Sequence, residues 1–342
     1  MFDDSAWQGT DKLEELDVTP LGGAQRSSMR QVLQQHGLAW PPPAEQNHWT
    51  PVLAIGSNAS VDQLARKFPP DLFPDGVVIP VLRCVLEEFD VVYSPMIVSY
   101  GSCTATLEHS PGTAIAVFVT YLPPLLLQRM HDTEGAYNLC QLNNIHLQLG
   151  QSLEGYKAGR APVQVLDLMY QYNHQVGSLY MPFNTYKGQG GTPVALKEIR
   201  ATGRTFPALT QRQMQLAVHE ALREVQTTGL LAPLDPPTAC TEVASAAARA
   251  NGSNAASTAS RDGSIGTNGA ATGGAEPAGS AEPSWLMENE PGSLEDWILR
   301  NLDDPLVRHT YVTAMSAAAK PFKYADSELL MSFGNLFSDN VK

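Results

Sequence analysis

The sequence predicts an α+β fold built on a small, mostly antiparallel, barrel-like mixed sheet with flanking helices. Three observations predict it. Pro51-Val52-Leu53-Ala54-Ile55 is short, apolar and strand-tolerant, with nothing polar to meet water on either face, so it reads as an interior strand. Val77–Leu86, Glu88–Tyr93, Ser102–Leu107 and Ala114–Leu122 are rich in Val, Ile, Thr, Phe and Tyr and are punctuated by Ser94-Pro95 and Ser110-Pro111-Gly112, as antiparallel strands joined by tight turns would be. Helical periodicity is strongest outside these runs, in Gln211–Thr228, where Met214, Leu216, Ala217, Val218, Ala221, Leu222 and Val225 make the apolar side.

Taken in order, residues 1–47 mix acidic, glycine-rich and proline-rich pieces around one predicted helix, Ser27–His36, stopped by Gly37, and are expected to form a partly disordered extension. Pro41-Pro42-Pro43 fits neither a helix nor a central strand and marks the start of a folded domain, residues 48–230, near Trp49. After the first strand Gly56 turns the chain, Ser57 and Asn58 are small and polar, and Ser60 with Gln63 forms a capping box for a helix over Val61–Phe68. Unpaired backbone N–H groups at such a turn suit a carboxylate or a developing oxyanion. The four strands follow. Pro123 and Pro124 then suit the first turn of a helix carrying Leu125–Met130, which stops at His131-Asp132-Thr133-Glu134-Gly135. Leu139–Leu149 and Pro162–Tyr170 are expected to extend the sheet, and residues 171–208 read as loops with short strands. Residues 231–284 collapse to Ala, Gly, Ser, Thr and Asn, with too little to bury to offset their ordering entropy, and read as a disordered linker. Residues 285–342 recover as a helical tail. Ser293 caps one helix and Pro305–Ala319 forms another, and their apolar residues either dock on the main domain or contact another protein.

Composition narrows the partners. The chain has 342 residues, 43% of them hydrophobic, enough for a substantial core. Its 35 acidic and 22 basic residues leave a formal charge of -13, which opposes nucleic acid and anionic membrane surfaces, and the longest basic cluster is Arg66-Lys67. No apolar run reaches the roughly 20 residues of a membrane helix, and the N-terminus carries acids where a signal peptide would be basic. A soluble, cytoplasmic protein is the expectation. Cys84, Cys103, Cys140 and Cys240 fall at wide, unpatterned intervals, as reduced and mostly buried thiols would. The eight histidines form no ligand pair with nearby cysteines, so no metal site is expected.

Two residues draw attention as chemistry. Glu134 lies beside a glycine in a loop just past an apolar helix, where a carboxyl can be held in a cleft and tuned; a plain polar turn gives the same pattern. Ser57 follows a glycine at a strand-to-helix turn, as a hydrolase nucleophile does, but Ile55-Gly56-Ser57-Asn58-Ala59 lacks the second glycine of GxSxG, and a hydroxyl bonding local backbone is the competing reading. Gly188, Gly190 and Gly191 lack the Gly-Lys-Ser/Thr ending and the strand-to-helix setting of a phosphate loop.

The order of these pieces resembles the gamma-glutamylcyclotransferase-like superfamily. Its marks are a YGSN turn after the first strand, a strand pair ending near GvLY, and an LDxxEG loop with a catalytic glutamate. This chain has Ile55-Gly56-Ser57-Asn58, the strand Val117–Leu122 and Met130-His131-Asp132-Thr133-Glu134-Gly135, and the resemblance covers about residues 50–172. Ile55 stands for the family Tyr, Ala59 for a common Leu, and Met130-His131 for Leu-Asp.

The resemblance implies cyclisation of a small gamma-glutamyl compound to 5-oxoproline with release of an amine. It assigns Glu134 as general acid and base and places Ile55, Gly56, Ser57 and Asn58 around the substrate, with Tyr121 and Tyr137 as pocket-lining candidates. It implies no cofactor, metal or covalent nucleophile. The alternative is a non-catalytic module that binds a ligand or a protein on the same fold, its tail providing the contact; Ile55 and the appended linker favour it and Glu134 argues against it. A serine hydrolase using Ser57 is a third reading and lacks an evident His and Asp in the usual context.

Overall fold

The computed structural model describes residues 17–18, 27–28, 30–31, 34, 49–181, 191–227 and 303–333. The 231–284 linker, the helix expected after Ser293, Cys240, Gly188 and Gly190 lie outside these residues, as does most of the 1–47 segment. Within that segment Asp17–Val18 pairs with Ser27–Ser28, and Ser28 and Gln31 bond each other's backbone N–H.

The first strand, β1 (Thr50–Ala54), is buried throughout, as its apolar sequence requires. The chain then turns through Ser57–Ala59 into α1 (Val61–Lys67). Ser60 occupies the N-cap as expected, yet its side chain makes no cap bond. Gln63, the other half of the expected box, instead accepts from Arg66 Nε and Nη2 at 3.3 and 2.7 Å. A charged guanidinium is the stronger donor, and it draws the amide along the helix away from the cap.

The four expected strands are two long ones, β2 (Val81–Ile97) and β3 (Cys103–Leu122), paired antiparallel. Ser110-Pro111-Gly112 is a bulge and not a turn. Glu87 faces Ala114 and Phe89 faces His109, so β3 residues 110–113 stand against Glu88 alone. Glu88 (φ 65°) and Gly112 (φ 80°) take left-handed backbone there, and Gly112 N–H donates to Glu88 Oε1 at 3.1 Å. The bulge bends the ribbon. Past the bend, Thr106 Oγ1 donates to Asn173 Oδ1 (3.0 Å), Leu107 N–H donates to the same oxygen (3.1 Å), and His174 N–H donates to Thr106 Oγ1 (3.1 Å). These bonds join β3 to the end of a strand from which β1 otherwise separates it, so the sheet curls almost onto itself.

After β3, α2 (Pro124–His131) opens with Pro124 at its first position. The expected strand Leu139–Leu149 is two, β4 (Tyr137–Leu142) and β5 (Leu147–Leu149), because Asn144 takes φ 52° between them. A short helix, α3 (Leu153–Lys157), follows, and then the expected strand Pro162–Tyr170 divides into β6 (Gln164–Leu166) and β7 (Met169–His174). The short strands are β8 (Ser178–Met181), β9 (Thr192–Pro193), β10 (Ala195–Leu196), β11 (Ala201–Thr202) and β12 (Ala208–Leu209), before the helix α4 (Gln211–Thr227). The last elements are α5 (Pro305–Ala317), β13 (Ala319–Lys320) and β14 (Ser327–Ser332).

Among the described residues the main sheet has eleven strands in the order β12-β10-β2-β3-β1-β7-β4-β14, with β11 on β3, β5 on β2 and β6 on β5. Only β1–β7 and β10–β12 run parallel. The architecture is therefore α+β with a mostly antiparallel, curled mixed sheet. Against one face α1 and α2 pack through Val52, Leu64, Phe68, Leu122, Leu126 and Met130. No helix among the described residues is long and apolar enough to cross a membrane.

The tail is not purely helical. Asp304 caps α5 by accepting from Leu306 and Val307 N–H, and α5 buries Val307, Tyr311, Val312 and Met315. The chain then adds β14 to the free edge of β4, pairing Ser327 with Leu142 and Ser332 with Asn138. Phe333 N–H donates to Tyr137 O at 3.3 Å, and Gln175 Nε2 donates to Phe333 O at 2.7 Å. Periodicity could not reveal this strand, because Glu328, Leu329, Met331 and Ser332 are all exposed and its order comes from ladder bonds. A chain ending at Asp326 leaves the β4 edge open and is expected to self-associate in light scattering and to unfold at lower urea concentration. A monomer with an unchanged midpoint would show that β14 adds little.

Candidate functional site

The loop after α2 brings Glu134 to the C-terminal end of β1. Thr133 and Glu134 N–H groups donate to Met130 and His131 carbonyls, and Tyr137 N–H donates to Glu134 O at 3.0 Å, so the loop is fixed at both ends. Glu134 is 7% exposed. Its Oε1 accepts from Asn58 Nδ2 at 3.0 Å and from Lys67 Nζ at 2.5 Å. Its Oε2 makes no hydrogen bond among the described residues and is not one of the sealed, unpartnered atoms. One carboxylate oxygen is thus anchored by two donors, and the other receives none among the described residues.

The turn and the loop meet, with Asn58 supplying the direct link. Gly56 and Ser57 are exposed and Asn58 is half-buried. The amides of Gly56, Ser57 and Asn58 make no backbone hydrogen bond among the described residues; Gly56 and Ser57 carbonyls receive the N–H groups of Ala59 and Ser60. A Cβ built on Gly56 would meet no atom within 4 Å, so the side of the turn is open. Ile55 is buried. Ser57 Oγ has no side-chain partner among the described residues, so no base is paired with it.

Tyr137 and Tyr121 part company. Tyr137 stands three residues from Glu134, donates to Ala105 O at 3.1 Å and rests edge-on against His174. Burial pushes its pKa up to about 12, with the Glu134 charge adding to the shift. Tyr121 pairs with Pro51 in the ladder, so it alternates to the face opposite Leu122 and Val52. That is the face away from α1 and α2, and the structure does not bring Tyr121 to Glu134.

Lys67 is the residue that sequence reasoning missed. It is 7% exposed, although it lies in the last turn of a short helix where a lysine ordinarily reaches solvent. Spacing three residues from Leu64 turns it onto the helix face that meets α2, where Nζ also touches Met130 Sδ at 3.3 Å. Arg129 Nε donates to Lys67 O at 2.9 Å and ties the two helices together. The signal available in the sequence was this spacing from Leu64 beside Phe68.

His131 is buried. Its ring stacks on Phe333 at 4.7 Å and its Nδ1 lies 2.6 Å from Tyr172 Oη. Burial lowers the His131 pKa and raises that of Tyr172, so the phenol donates to a neutral imidazole. Its contacts hold the loop against the sheet. Cys84, Cys103 and Cys140 are free and buried, with burial pushing Cys103 up to about 12 and Cys140 up to about 11. Among the described residues no group of three or more His, Cys, Asp or Glu could hold a metal ion.

No protein-family model matches the chain, and no curated protein does. Among solved structures it is similar to an uncharacterised human protein, at 12% identity over 55% of this chain and 91% of that one with a TM-score of 0.29. It is also similar to a protein described as a gamma-glutamyl cyclotransferase, at 13% identity over 59% of this chain and 99% of that one with a TM-score of 0.27.

Proposed function

We propose that the protein cyclises a small gamma-glutamyl compound to 5-oxoproline, with Glu134 as general base and then general acid. The observation that carries the reading is the half-anchored carboxylate: Oε1 is held by Asn58 and Lys67, and Oε2 receives no hydrogen bond among the described residues. The motif order around Gly56–Asn58 and Glu134 supports it.

The chemistry needs little else. Oε2 takes a proton from the substrate α-ammonium, and the freed amine attacks the γ-carbonyl carbon of the same molecule. The carbonyl electron pair moves to oxygen, where the open amides of Gly56, Ser57 and Asn58 would receive it. When that pair returns, the bond to the leaving nitrogen breaks, Glu134 delivers its proton there, and it then carries the second proton of the ring nitrogen to the released amine, which departs as its ammonium. The products are 5-oxoproline and an amine, and no water is consumed. Nucleophile and electrophile share one molecule, so proximity comes from holding the substrate folded.

A binding module on the same fold is the second reading, and the Lys67 ammonium favours it, because Glu134 already has a cation in contact. Incubation with gamma-glutamyl amino acids, gamma-glutamyl amines and glutathione separates the two. 5-Oxoproline that survives Ser57→Ala and is lost in Glu134→Gln is the expected result. No 5-oxoproline from any of them would leave the binding module as the better account, and labelling of Ser57 by a serine-directed probe followed by hydrolysis would overturn cyclisation.

A further inference from the structure

The loop that carries Glu134 makes its own shape but not its own position. The N–H groups of Asp132, Thr133, Glu134 and Tyr137 donate to the carbonyls of Gln128, Met130, His131 and Glu134, each three or four residues back. Local bonds of this kind close a turn and leave its placement against the sheet to side chains and neighbouring strands. Several of those partners come from the far end of the chain. Before Glu134, the His131 ring stacks on Phe333 at 4.7 Å and 20°, and both rings meet Tyr172 at 5.9 Å. After it, Tyr137 O accepts from Phe333 N–H at 3.3 Å. Gln175 joins the two, its N–H donating to Ala136 O at 3.1 Å and its Nε2 to Phe333 O at 2.7 Å. Phe333 therefore touches the chain on both sides of Glu134. α5 adds a further contact, since Val312 shares an apolar cluster with Met96, Val98 and Ala136.

The main chain and the ring of Phe333 have different tasks. Its N–H and C=O extend a ladder that Ser332 and Asn138 already hold, and any residue but proline can make such bonds. Only the ring reaches His131. It is half-buried and packs against the cluster of Leu126, Met130 and Tyr172. A flat face on the imidazole sets the plane of that ring, and Tyr172 Oη, 2.6 Å from Nδ1, sets its rotation within the plane. The residue fixed in this way is the one whose carbonyl accepts the Glu134 N–H.

We infer that Phe333 is a positioning residue for the Glu134 carboxylate, acting through His131, and that residues 305–333 are a working part of the site. This deepens the cyclisation proposed above and rests on it. Asn58 and Lys67 hold one carboxylate oxygen from the side of the turn and α1. Phe333 holds the backbone from which that side chain extends. A proton-transferring oxygen must lie within hydrogen-bond reach of the nitrogen it serves, and a displacement of about 1 Å costs on the order of 10²-fold in rate.

The test measures kcat and KM of the full chain with whichever gamma-glutamyl compound of the panel above the wild type turns over fastest. Phe333→Ala keeps both main-chain bonds and removes only the ring, and kcat is expected to fall about 10- to 100-fold with KM within about twofold. Phe333→Tyr returns a flat ring and is expected to recover most of kcat. Leu329→Ala, at an exposed position of the same strand, is expected to leave both constants unchanged. An unchanged kcat in Phe333→Ala, an equal loss in Leu329→Ala, or a loss that Phe333→Tyr does not recover would overturn the assignment while leaving cyclisation standing. A loss no larger than the unfolded fraction seen by circular dichroism at the assay temperature would do the same. No 5-oxoproline from the wild type with any compound of the panel would remove both. Should Phe333→Ala fail to fold, Phe333→Leu keeps most of the apolar volume without the flat face: a lower kcat is expected, and a wild-type kcat overturns the assignment.

Discussion

Glu134→Gln is expected to cut 5-oxoproline release by about 10²–10⁴-fold, the usual worth of a positioned acid-base group. The same change is expected to destabilise the fold by about 3–5 kcal/mol, because it leaves the Lys67 ammonium buried without its counter-charge. The two losses have different remedies. In the double variant Lys67→Met/Glu134→Gln the uncompensated charge is gone and the urea midpoint should recover most of the way to wild type, while release stays at the single-variant level. Recovery of stability without activity identifies the carboxylate as the reacting group. Full activity in either variant would place the base elsewhere, and a double variant as unstable as the sum of the two singles would show that the pair is not coupled.

Acidification from pH 7 to pH 5 is expected to cost about 2 kcal/mol of stability through His174 alone, at about 1.4 kcal/mol per pH unit below the ordinary histidine value near 6.5. The sign follows from proton affinity. The folded ring, pushed down to about 3, refuses the proton that the unfolded chain binds, so stability is complete above about pH 6.5 and is lost as pH falls toward 3. His131 is shifted the same way, also by burial. Asp90 and Glu108 are buried carboxyls raised by burial, and they work in the opposite sense, binding protons more readily when folded. The difference between wild type and His174→Phe in urea unfolding isolates the imidazole. A stability difference between them that does not change from pH 7 to pH 5 would contradict the assignment of a buried neutral ring.

The parts of the fold written in local chemistry were legible. β1, the Gly56 turn, α1, the proline-started α2 and the amphipathic α4 each carry their own start, stop or period, and each lies within a residue or two of the expected bounds. What was not legible depends on distant partners. Ser110-Pro111-Gly112 has the composition of a turn, and only the pairing of Glu88 with Gly112 shows that the strand runs on through a bend. Lys67 was hidden because a charge at a helix end has a solvated reading, and its burial needs a carboxylate 67 residues away. Tyr121 was a pocket-lining candidate through the family resemblance, and the alternation of the β1–β3 ladder turns it to the other face. His174 was one of eight scattered histidines, although Tyr170, Tyr172 and His174 already formed an alternating row.

The site takes shape late during synthesis. Glu134, Asn58 and Lys67 are all made within the first half of the chain, yet the strand that covers the β4 edge and the ring that seals His131 are Ser327–Ser332 and Phe333. A nascent chain that has emerged as far as β7 therefore carries the candidate acid-base residues beside an open sheet edge and a half-covered aromatic pocket. During that interval the loop holding Glu134 lacks its support from Phe333, and the bare β4 edge is a natural contact for a chaperone or for a neighbouring chain.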